Sequence, residues 1–176
     1  MLSLPAVILH SLFKKVFECP ACYLFDDNAD GLKNYYTLVY YVQHDKGWHF
    51  TGMNYPYGEH IIYTDNQPIL AMTLQWIDQH VTDMDRHVVG TLNMLLLLSI
   101  YVGVLLVYKI LRRWEVGRWW SLGSALCIIF LSPQLLRLHG HYGLAYVCFI
   151  PALLLLLDYL VRGSRLRWLW ALITAL

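Results

Sequence analysis

The chain has 176 residues, of which 58% are hydrophobic and 14% charged, an apolar share above the roughly 45–50% of soluble domains. An ordinary soluble fold is excluded. The net charge of +1 also excludes the concentrated basic surface that neutralises nucleic-acid phosphates, so no nucleic-acid partner is expected. The charges are segregated: from Asp26 to His87 acidic residues far outnumber the basic Lys33, Lys46 and Arg86.

Met1 to Phe25 has apolar stretches, but Lys14 and Lys15 fall in their middle, where each charge costs about 2.5–3.5 kcal/mol on insertion scales. A secretory signal carries its charges before the apolar core. Residues 1–25 therefore read as an interfacial helix, with the lysines snorkelling, or as a degraded first span. The "CPAC" at Cys19 to Cys22 has the spacing of redox dithiols and raises a membrane thiol oxidoreductase. Cys127 and Cys148 fall inside predicted spans, where cysteine behaves as a small apolar residue, so redox chemistry ranks last.

Residues 26–87 form an acidic, aromatic segment too rich in rings for a linker. Asp30 is expected to cap a helix beginning near Gly31, with Leu32, Tyr35, Tyr36, Val39 and Val42 on one face. The turn-rich "MNYPYGEH" follows, then the short β-branched run "HIIYT". Pro68 opens a second amphipathic helix, with Ile69, Met72, Leu74, Trp76 and Ile77 as its apolar positions. Two such helices would make a platform on the membrane plane.

Val88 to Leu111 carries no charge before Lys109 and exceeds the roughly 20 apolar residues that cross a hydrocarbon core. It is a predicted span. Trp119 to Leu136 is a second, bounded by Trp119 and Trp120 at headgroup level, and Tyr142 to Val161 is a third, with Pro151 inside it. The chain closes on about half a span from Arg167, which reads as a piece of a larger polytopic protein. The expected fold is an all-α membrane protein: a multi-span helical bundle (88–176) with an extracytoplasmic loop (26–87) carrying amphipathic juxtamembrane helices.

Lys109, Arg112, Arg113 and Arg118 lie between the first two spans, and Arg162, Arg165 and Arg167 follow the third. Positive residues in short loops mark the cytoplasmic side. The acidic segment and the turn "RLHGHYG" then lie outside, in a bacterial inner membrane.

Three clusters carry candidate chemistry. Asp26, Asp27 and Asp30, at the head of a helix on the outer surface, are placed to accept a proton from a hydroxyl or to bind a divalent cation; a helix cap with solvated charges is the alternative. Arg137, His139 and His141 could hold a lipid phosphate, since arginine matches phosphate geometry with paired donors; a plain interfacial turn is the alternative. Asp83 and Asp85 form an Asp-x-Asp pair, a weak metal candidate beside interfacial solvation. The rings of Trp48, Tyr55, Tyr57 and Tyr63 suit sugar stacking and interfacial anchoring equally.

The order "DDNADGLKNYYTLVYYV", then "NYPYGEHIIYTDNQP", then a juxtamembrane helix and spans resembles the first extracytoplasmic loop of the C-type glycosyltransferase superfamily. The "GH" element in "SPQLLRLHGHYGLAYVCFIPALLLLL" is similar to one in bacterial members. The resemblance covers Asp26 to about Leu157. It implies transfer of a sugar from a polyprenyl-phosphate donor in the lipid bilayer, with Asp30, or the pair Asp26 and Asp27, activating the acceptor hydroxyl. Tyr57, Glu59, His60, Arg137, His139 and His141 would contact substrate, and a divalent metal is a possible cofactor. A non-enzymatic envelope protein whose outer loop binds a partner is the second expectation.

Overall fold

The computed structural model describes residues 3–161. Arg162, Arg165, Arg167 and the expected half-span from 167 lie outside the described residues. The longest element is α5 (Val88–Arg113), whose 26 residues at 1.5 Å each rise about 39 Å, more than the roughly 30 Å of a hydrocarbon core. The stretches Arg118–Leu138 and Tyr142–Val161 are also long and apolar enough to cross a membrane.

The two later stretches are not continuous α-helix. In the first, α6 (Arg118–Phe130) ends before Pro133, and Pro133–Leu138 continues as a 3-10 helix because proline has no amide to donate. In the other, Tyr142–Leu144 is a 3-10 turn and α7 begins only at Phe149, running to Val161. Pro151, inside the membrane-length stretch as expected, sits in the first turn of α7, where its missing N–H costs nothing. At the far end of α5 the Arg113 Nε donates to Asp158 Oδ2 at 2.6 Å, and the guanidinium lies 4.2 Å from the centre of the Tyr159 ring. Those contacts tie α5 to α7.

The N-terminal segment is two short helices, α1 (Ser3–Leu12) and α2 (Lys14–Glu18), broken at Phe13. Ten residues reach only about 15 Å, too short to cross. Leu9 and Val16 are buried with Leu97, Ile100 and Val104 of α5. Lys14 stays exposed beside Glu18. Cys19 and Cys22 are joined in a disulfide.

The acidic segment folds as α3 (Ala29–His44), a two-residue strand pair β1 (His49–Phe50) and β2 (Glu59–His60), and α4 (Pro68–His80). Most of the β-branched run is a 3-10 helix, Ile61–Thr64. The face buried by α3 is Tyr35, Leu38, Tyr41 and Val42, while Leu32 and Tyr36 are exposed. That corrects the expected stripe, because tertiary packing selects the side carrying Asn34 and Thr37 as well. On α4 the buried positions are Ala71, Leu74 and Gln75; Ile69 and Trp76, expected on the apolar face, point outward. One hydrophobic cluster runs from Tyr35, Phe50 and Leu74 to Val88, Leu92 and Leu96 of α5 and on to Tyr142. The hydrophilic segment is thus seated on the N-terminal end of α5.

Candidate functional site

The site begins at the head of α3. Asp26 Oδ1 accepts from the backbone amide and side-chain amide of Asn28 at 3.1 and 3.0 Å, which bends the chain into the helix. Asn28 occupies the N-cap and Asp30 the first turn. Asp30 is therefore not the cap that its position before Gly31 suggests. Its side chain is exposed in the first turn of α3. Asp27 is exposed and Asp26 partly buried.

Against this head lies the turn joining the second and third membrane-length stretches. Gly140 has φ +111°, and a Cβ there would stand 2.8 Å from Asp30 Cβ and 3.5 Å from Asp26 Oδ2. Only glycine allows both that conformation and that approach. The buried Asn34 side-chain amide donates to Gly140 O at 2.7 Å and to Asp30 O at 2.8 Å. Three candidates for phosphate contact flank this point, for Arg137, His139 and His141 line an open groove of about 560 Å³ with Leu136 and Leu144. Acidic head and basic turn, read from the sequence as separate clusters, are one place in the fold.

Beneath the surface is a polar hub that sequence reasoning missed. Tyr35 O–H donates to Asn93 Oδ1 at 2.6 Å and accepts from the Phe25 amide at 3.2 Å. Asn93, fully buried in α5, donates to the carbonyls of Pro20 and Tyr23 at 2.8 and 2.7 Å. The signal was an asparagine in a leucine-rich span, since an intramembrane polar residue marks a buried partner. Burial pushes the Tyr35 phenol pKa up, although its hydrogen bonds with Phe25 and Asn93 oppose the shift. Its ring meets that of Tyr142 edge to face at 5.0 Å. The Tyr142 hydroxyl is buried without a hydrogen-bond partner among the described residues.

The remaining candidates lie apart. Tyr57, Glu59 and His60 are on the β1–β2 hairpin. Lys33 of α3 hydrogen-bonds Asp65 beyond this hairpin, and that bond raises the Lys33 pKa, with the charges of Asp30 and Glu59 adding to it. Asp83 and Asp85 are joined by Asp78, all three offering oxygens within 4.8 Å of one another. Asp78 accepts from the Met84 amide and Asp83 from the Asp85 amide, so two of them close the α4–α5 turn. Cys19 and Cys22 form their disulfide against α5, while Cys127 and Cys148 are free.

Residues 7–176 match the family described as Domain of unknown function (DUF6311). The chain belongs to that family. No curated protein and no solved structure matches it. The family match spans both the α3 head and the Gly140 turn, so the two halves of the site belong to one family unit.

Proposed function

We propose that this chain is the membrane-embedded part of a glycosyltransferase that takes sugar from a polyprenyl-phosphate donor at the extracytoplasmic face. The observation that carries the proposal is the packing of Gly140 against Asp30 and Asp26, in the turn whose Arg137, His139 and His141 line an open groove. In this assignment Asp30 accepts the proton of the acceptor hydroxyl as that oxygen attacks the anomeric carbon. The bond to the lipid phosphate breaks, and the departing phosphate takes the electron pair next to the cationic turn. Asp26, held by Asn28, orients the turn beside it, and Asp27 is a bystander.

The same proposal orients the protein. The basic residues Arg112, Arg113 and Arg118 lie at the opposite end of α5 and the start of α6 from the acidic segment, as a multi-span bundle with a cytoplasmic basic loop requires. The host would be a bacterial inner membrane. The test is sugar transfer from a synthetic polyprenyl-phosphate sugar by protein purified in detergent. Asp30→Asn should lower turnover by about 10²–10⁴-fold with donor binding kept, the range expected for loss of a general base. Full activity in Asp30→Asn would overturn the assignment.

A further inference from the structure

The β1–β2 hairpin presents aromatic rings where a folded chain normally hides them. Tyr55, Tyr57 and Tyr63 are 91%, 82% and 78% exposed, and contiguous exposed apolar surface marks an interaction site. The backbone that carries them is held, not loose. The Tyr57 and Gly58 amides both donate to Asn54 O, and the Ile61 amide donates to Trp48 O. Phe50 and Ile61 are wholly buried beneath. Gly58, at φ +69°, lets the His49 ring approach so closely that a Cβ would overlap it. On the outer face Trp48 and His60 stack at 5.4 Å with 19° between their planes, and Tyr63 meets His60 edge to face at 6.0 Å.

We infer that this hairpin is a glycan-binding platform. Pyranose rings have one face made of C–H groups and a rim of hydroxyls, so they are held by an aromatic surface interleaved with hydrogen-bonding groups. Here the rings alternate with His49, Asn54, Glu59 and His60, a mixture costly to bury in hydrocarbon. Lys33, on α3 three residues after Asp30, hydrogen-bonds Asp65 just beyond the platform. Resting on the transfer proposal, the bound glycan is the acceptor, and its free hydroxyl extends toward Asp30.

The test is calorimetric titration of the chain in phosphatidylcholine nanodiscs with hexasaccharides of N-acetylglucosamine, mannose and glucose. Saturable binding of at least one is expected, weakened about tenfold or more in Trp48→Ala and Tyr63→Ala and largely retained in Trp48→Phe. Trp76→Ala, which removes the separate Trp76–His80 stack on α4, should leave affinity unchanged. Asp30→Asn should also bind normally, so loss of the transfer proposal and loss of this one are separable. Absence of saturable binding in protein with a native near-ultraviolet spectrum overturns the inference, as does binding indifferent to Trp48→Ala. A spin label at Tyr57→Cys that meets lipid-soluble oxygen rather than a water-soluble relaxant also overturns it, in favour of membrane anchoring.

Discussion

Asn34 and Gly140, 106 positions apart in the chain, are joined by a 2.7 Å hydrogen bond from side-chain amide to backbone carbonyl. That bond locks the head of α3 to the turn between two membrane-length stretches. Asn34→Ala leaves two carbonyl acceptors short of a donor and should cost roughly 1–3 kcal/mol. Gly140→Ala adds backbone strain of about 1–3 kcal/mol to the clash with Asp30. Apparent Tm in detergent should fall in both, and protease cleavage near Asp26 should rise. An unchanged Tm in Gly140→Ala would show that the two segments do not meet.

The two buried tyrosines that share an edge-to-face contact should respond oppositely to loss of their hydroxyls. Tyr35→Phe strips Asn93 of a donor and the Phe25 amide of an acceptor, costing about 1–3 kcal/mol for each group left buried without a partner. Tyr142→Phe removes a hydroxyl that is buried without a partner among the described residues and should be neutral or raise Tm. Asn93→Leu should be worse than Tyr35→Phe, because the carbonyls of Pro20 and Tyr23 lose their donor as well. Thermal unfolding of the three variants side by side checks the order.

Alkaline pH should destabilise the hydrophilic segment. Burial raises the pKa of Tyr35 and of Tyr41 above the ordinary 10.0, and the Asp65 hydrogen bond raises Lys33 above 10.5. Each group binds its proton more tightly folded than unfolded. Their contribution is therefore complete below pH 10 and is lost as pH rises through the folded values. Tyrosinate absorbance followed against pH should show a late, cooperative phase of smaller amplitude in Tyr35→Phe. Titration of all tyrosines at the ordinary value would contradict the burial.

The proposed orientation can be checked by labelling single cysteines in a background without the native ones. Tyr55 is the better outer probe, since Gly58 has a left-handed backbone that strains any side chain. A Tyr55→Cys protein should react with an impermeant maleimide in intact cells, and Arg112→Cys only after permeabilisation. The reverse pattern would place the acidic segment in the cytoplasm and remove the outer-face site.

Composition and hydropathy alone determined that the chain is mostly helical and holds three membrane-length apolar stretches. That is because crossing a bilayer constrains length and polarity residue by residue. Local chemistry was equally legible at Pro68, which opens α4 because its missing amide suits a first turn. Tertiary structure decided which faces of α3 and α4 are buried. Periodicity offered Leu32, Tyr36, Ile69 and Trp76 beside Tyr35 and Leu74, but packing buried only Tyr35 and Leu74 of these and added Leu38 and Ala71. It also decided that the acidic head near residue 30 and the turn at Gly140 are neighbours. No local signal carries such a pairing, because it depends on a long-range bond from Asn34 and on the space left by a glycine with no Cβ.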